Sequence, residues 1–167
     1  METKKPLERE SLPKPHIFID ADVLFAGAAS PNEPSASNML LRMAEITLIK
    51  AIISTQVITE VERNLLDKMP KAFPAFQLLI SHSMRIVADP DPAELAGYVG
   101  LANLEVLPIL VAAVREECSL LATFNLRHYQ PGHSSVTVLK PGDLVLRIRY
   151  LLTQLSSNPT TSSLPAA

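Results

Sequence analysis

The stretch Leu104–Tyr129, LEVLPILVAAVREECSLLATFNLRHY, decides the fold class. Pro108 fits the first turn of a helix, where its missing N–H has no intrahelical role. Ile109, Leu110, Val111, Ala112, Ala113 and Val114 give that helix an apolar interior. Leu120–Thr123 (LLAT) is a short apolar run and predicts a buried strand. From Thr123 the chain turns polar through Asn125, Arg127 and His128. A helix feeding a wholly apolar strand is the repeating unit of a parallel sheet covered on both faces.

The alternation continues in both directions. His16–Asp20 (HIFID), Ala51–Ser54 (AIIS), Met84–Ala88 (MRIVA) and Val136–Leu139 (VTVL) supply four more predicted strands. A short helix through Val23, Leu24 and Ala28 is broken by Pro31 and Pro34. Ser35 or Ser37 then caps a second helix carrying Met39, Leu40, Met43, Ile46 and Leu48. Ser54 or Thr55 caps a third, with Val57, Ile58, Val61, Leu65 and Leu66 on one face. Pro70 and Pro74 bracket a break before a helix over Phe73–Ile80. Pro90-Asp91-Pro92 opens a short one through Leu95 and Tyr98, and Pro141-Gly142-Asp143 starts the last. The expectation is one α/β domain over residues 16–155 with a mainly parallel five-stranded sheet. Segments 1–15 and 156–167, rich in Pro or in Ser/Thr, are expected to be flexible.

Composition agrees. The 167 residues are 47% hydrophobic and 19% charged, with five Phe, three Tyr and no Trp, so the core must be built mostly from aliphatic side chains. Net charge is -2 and the sequence pI about 6.1, which excludes a molecule-wide basic surface; any contact with nucleic acid must come from a local cluster or through metal ions. The single cysteine, Cys118, excludes an intramolecular disulfide and reads as a small core residue. No apolar run of about 18 residues marks a membrane span, and the N-terminus lacks a signal-type hydrophobic core. A soluble cytoplasmic protein is therefore expected.

In open sheets of this kind sites gather at the carboxyl ends of strands. Asp20 ends the first strand, and Asp22 follows within the next helix. A carboxylate bordering a buried strand needs a partner, a hydrogen bond or a cation. N-capping accounts well for Asp22 and less well for Asp20. Glu60 lies in the first two turns of its helix, where a carboxylate also complements the positive helix end. Asn125 can offer an amide oxygen to a hard cation or serve as a turn residue. His128 has no second histidine at metal spacing and reads better as a surface or phosphate-contacting group. P-loop, G-x-G-x-x-G, G-x-S-x-G and H-E-x-x-H motifs are all absent. The chemistry left with local support is oxygen ligation of Mg²⁺ or Mn²⁺.

Four segments in this order resemble PIN-domain proteins, particularly the VapC-like toxin components of bacterial toxin–antitoxin pairs. They are IFIDADVLFAGAAS (Ile17–Ser30), STQVITEVERNLL (Ser54–Leu66), LEVLPILVAAVREECSLLATFNLRHY (Leu104–Tyr129) and VTVLKPGDLV (Val136–Val145). The third is the most specific. The resemblance implies a three-layer α/β/α fold and metal-dependent hydrolysis of RNA phosphodiester bonds by a cluster of acids. By position it makes Asp20, Glu60 and Asn125 the catalytic and metal-binding set, Asn125 standing where an acid usually lies, with Glu105 a further candidate metal ligand beside a family position and Arg127 or His128 contacting RNA. It also implies a cognate antitoxin and a homodimer.

Two positions depart from the family pattern, Asn125 in place of an acid and, more seriously, Val106. Val106 stands where an aspartate normally precedes the Pro-Ile-Leu-like helix start, and valine binds no cation. Glu105 is adjacent, but neighbouring residues on a helix do not share a face. Fewer carboxylates offset less of the cost of dehydrating Mg²⁺. The alternative expectation is therefore a catalytically degenerate PIN fold retained for binding RNA or protein.

Overall fold

The computed structural model describes residues 13–157. All five predicted strands form: β1 (His16–Ile19), β2 (Lys50–Ser54), β3 (Met84–Val87), β4 (Leu120–Ala122) and β5 (Thr137–Leu139). They make one sheet in the order β3-β2-β1-β4-β5, and every pairing is parallel. Central β1 is wholly apolar after His16, and Ile17, Phe18 and Ile19 are fully buried, as a strand covered on both faces requires.

Helices α1 (Ala21–Ala29) and α2 (Ala36–Glu45) connect β1 to β2; α3 (Thr55–Lys68) and α4 (Phe73–Ser83) connect β2 to β3. The chain then returns through α5 (Pro92–Ala96) and α6 (Leu107–Arg115) to β4, on the other side of β1, and ends in α7 (Pro141–Ser156). Right-handed crossovers running in opposite directions along a sheet place their helices on opposite faces. Accordingly α1 to α4 and α7 pack among themselves, and α5 packs on α6. The α/β/α layering with a parallel five-stranded sheet is as expected. Cys118 is 1% exposed in the core, and burial pushes its thiol up to about 12, so it is an inert packing residue.

Several local expectations need correction. Helix α2 stops at Glu45, because Thr47 adopts a left-handed φ of 61°; Ile46 is left exposed and Leu48 lies beyond the helix. Leu66 is exposed, since the stripe of α3 that faces the core is Val57, Val61 and Leu65. Pro74 sits inside the first turn of α4 and does not break it. Ser54 occupies the N-cap position of α3 but makes no capping bond; the Asp89 carboxylate accepts from Gln56 N–H at 2.9 Å instead. Most of the segments expected to be flexible lie outside the described residues, and α7 runs through Ser156, one residue past the expected domain end. Among the described residues no helix is long and apolar enough to cross a membrane.

Candidate functional site

Strand order creates the site. The crossovers leave β1 in one direction and arrive at β4 from the other, so the crevice between the carboxyl ends of these two strands is the switch point of the sheet. Asp20 follows β1 there, and Thr123 follows β4, with the two strands joined by Asp20 N–H donating to the Ala122 carbonyl at 3.0 Å.

Asp20 is 6% exposed and fully engaged. Its Oδ1 accepts from Ala21 N–H at 2.7 Å, and its Oδ2 accepts from the hydroxyls of Thr123 and Tyr129, both at 2.8 Å. Burial and the Asp20 charge push the Tyr129 phenol far above its ordinary range, so it stays protonated and always donates. Asp22 bonds its neighbour Val23 N–H at 2.7 Å through Oδ1, and its Oδ2 reaches across to Phe124 N–H at 3.0 Å and Asn125 Nδ2 at 3.4 Å. The expected division of labour is thus reversed. Asp20 is the N-cap of α1, and Asp22 is the carboxylate that bridges to the β4 turn.

Burial, and then the charge of Asp20, push the Asp22 carboxyl up to about 6. Glu60 is raised by the same two causes in the same order; Glu105 adds to the effect and Arg63 opposes it. Four carboxylates therefore feel one another, directly or in chain, with Arg63 the counter-charge facing Glu60. Gln56 Nε2 donates to the Glu105 carbonyl at 3.0 Å and ties the turn before α6 to α3. Glu105 lies in that turn and not on the helix, while half-buried Val106 is the N-cap of α6 and makes no side-chain cap bond. Ser54 Oγ, at the end of β2, is buried without a hydrogen-bond partner among the described residues.

Asn125 is exposed and turns its amide N–H groups, not its oxygen, toward Asp22. Arg127 and His128 line an adjoining cleft of about 390 Å³ together with Phe124, Asn125, Gln130 and Lys140. Thr123 and Tyr129 are the site residues that inspection of local sequence missed. A hydroxyl residue ending the strand and a tyrosine closing the polar turn were the available signals.

The donor chemistry fits a hard divalent cation: carboxylate oxygens crowd together with too little positive charge, beside an orphaned hydroxyl. Their number fits a weak one. Among the described residues no three His, Cys, Asp or Glu side chains converge closely enough to hold an ion as they stand.

The raised Asp22 carboxyl makes a stability prediction. A rise from 3.8 to about 6 corresponds to about 3 kcal/mol against the ionised form, and solvent screening at this half-buried site reduces it to about 1–2 kcal/mol. Because the folded value lies above the unfolded one, the favourable contribution is complete below about 3.8 and is lost as pH rises through about 6. Asp22→Asn sets its NH2 against one of the two backbone N–H groups that the carboxylate accepts from, a loss common to every pH; relative to the natural protein it is therefore expected to gain several degrees of Tm in EDTA on going from pH 4 to pH 7.5. A constant difference across this range would contradict it.

No protein-family model matches this chain, and no curated protein matches it significantly. Among solved structures it is similar to a chain in the crystal structure of VapBC2 from Rickettsia felis bound to a DNA fragment from their promoter. The TM-score is 0.56 at 13% identity, covering 75% of this chain and 98% of that one. At that identity the likeness speaks for the fold, which is PIN-like.

Proposed function

We propose that this chain is a PIN-type, divalent-metal-dependent ribonuclease of the toxin-like kind. The observation that carries the reading is the pair of carboxylates at the sheet's switch point, Asp20 and Asp22, which share the Thr123 hydroxyl at 2.8 and 3.4 Å, with Glu60 close enough on α3 for the Asp20 charge to raise its carboxyl. Asp20, Asp22 and Glu60 would hold Mg²⁺ or Mn²⁺, with Glu105 adding charge and Asn125 assisting. When bound, the ion supplies a Lewis acid that activates water and offsets charge on the phosphate. The protein's own part is positioning. Thr123 and Tyr129 lock the Asp20 carboxylate by two hydroxyl donors, and the Phe124 N–H fixes Asp22. Such locking removes the reorganisation that a flexible acid would undergo at each turnover.

The test is Glu60→Gln, because Glu60 makes no side-chain hydrogen bond among the described residues and its loss should leave the fold intact. Metal-dependent cleavage of RNA is expected to fall at least about 100-fold, and the rise in Tm on adding Mn²⁺ to disappear. If the natural protein cleaves no RNA with either ion and shows no metal-induced rise in Tm, the reading is wrong. The toxin-like kind adds a cognate antitoxin covering the cleft and a homodimer through helical faces. Exposed Tyr150, Leu151, Leu152 and Leu155 on α7 make a self-contact available, and light scattering decides it.

A second reading is favoured by Val106 and by Asp20, whose oxygens are already satisfied by protein donors: a degenerate PIN fold that binds RNA or protein without cutting. It expects no site-specific Mg²⁺ binding at millimolar concentration. Calorimetry on the natural protein and on Glu60→Gln separates the two.

A further inference from the structure

We infer that Phe124 is a base-stacking ridge that, with Lys140 and Arg127, seats an unpaired nucleotide beside the acidic site. This deepens the reading of the chain as a nucleic-acid-binding protein and rests on it. Phe124 is 46% exposed, a large aromatic surface left in water immediately after a buried strand. Its backbone N–H is bonded to the Asp22 carboxylate at 3.0 Å, so the backbone that carries the ring is tied to the acids. Phe124 and Lys140 are the two residues shared by neighbouring clefts of about 470 and 390 Å³, and the ring stands between them.

The clefts differ in charge. Arg127, His128 and Lys140 line the smaller one, and no acid does; neither Arg127 nor Lys140 has an ion-pair partner among the described residues. Glu33 and Asp143 line the larger, together with Ser35 and Ser37. A sugar–phosphate chain fits the first, and the polar edge of a base fits the second. A base lying between them meets the face of Phe124, and every base has a face to stack. A paired base cannot do this without leaving its helix, so the arrangement selects unpaired strands. It is also the local basic cluster that a chain of net charge -2 needs in order to meet phosphate.

Fluorescence anisotropy with a labelled single-stranded RNA, its duplex and the same single strand as DNA tests this in EDTA, where binding is read without hydrolysis. Phe124→Ala is expected to weaken single-strand binding about tenfold, while Phe124→Tyr stays within about twofold. The DNA strand should bind within a few-fold of the RNA, because stacking and phosphate contacts need no 2′-hydroxyl. Lys140→Ala and Arg127→Ala should each lower the salt dependence by about one phosphate contact. Unchanged binding by Phe124→Ala, equal binding of the duplex, or no binding of any oligonucleotide overturns the proposal. An inactive protein that binds as described would retain it while losing the nuclease reading, so the two fail separately.

Discussion

Asp20→Ala is expected to lower stability by about 3 kcal/mol and to abolish any metal-dependent cleavage. The stability loss follows from what the carboxylate holds. Removing it strands two buried hydroxyl donors, Thr123 at 0% and Tyr129 at 2% exposure, and uncaps α1. A buried donor left unpaired costs about 1–3 kcal/mol and a lost cap about 1 kcal/mol. Thr123 recovers part of this through Asp22, whose Oδ2 lies 3.4 Å away, and relief of the repulsion between Asp20 and Asp22 recovers more. For a domain of this size about 3 kcal/mol lowers Tm by roughly 10 °C. Asp20→Asn keeps an acceptor oxygen and should lose only about 1 kcal/mol, yet it removes the charge that a cation needs. The pair therefore separates folding from chemistry: Ala should fail both assays and Asn only the catalytic one. Thermal melts in EDTA, read beside RNA cleavage in Mn²⁺, check this. An Asp20→Ala protein as stable as the natural one would mean that the hydroxyl pair is not held as described.

The legible part of this molecule was whatever depends on a continuous run of residues. Ile17–Ile19 and Leu120–Ala122 are apolar without alternation, as strands covered on both faces are, so the parallel sheet is legible in the sequence. Asp20 was readable for the same reason, as an acid at the end of such a run. Thr123 and Tyr129 were not, because they lie more than 100 residues from Asp20, and only the placement of β4 beside β1 brings their hydroxyls to it. The roles of Asp20 and Asp22 were exchanged because a capping signal is local and either residue satisfies it. What separates them is the cross-strand reach of Asp22 to the Phe124 N–H. Helix ends were misplaced where one residue decides, as at Thr47, whose left-handed backbone no β-branched side chain advertises.

Val106→Asp is expected to raise cleavage at least about tenfold at submillimolar Mg²⁺, with little effect at saturating metal. Position 106 sits at the N-terminus of α6, beside Glu105, whose carbonyl is joined to Gln56 of α3 one turn before Glu60. The opening N–H groups of α6 lack a side-chain cap there, so an aspartate gains a local partner worth about 1 kcal/mol. Against this stand the lost packing of a half-buried valine and a further negative charge facing Glu60 and Glu105. In EDTA these effects should leave the variant equal to or slightly below the natural protein in Tm. In Mg²⁺ the order should reverse, because the repulsion that weakens the empty fold is what binds the ion. That reversal is the discriminating result. If the natural protein is inactive and the variant cuts RNA, the natural site is a degenerate one that a single carboxylate restores. If both cut equally at every Mg²⁺ concentration, Glu105 or water already completes the site and Val106 is a packing residue. If neither cuts and Tm ignores the metal in both, the acids at the switch point serve the fold, through Thr123 and Tyr129, and binding is the function to pursue.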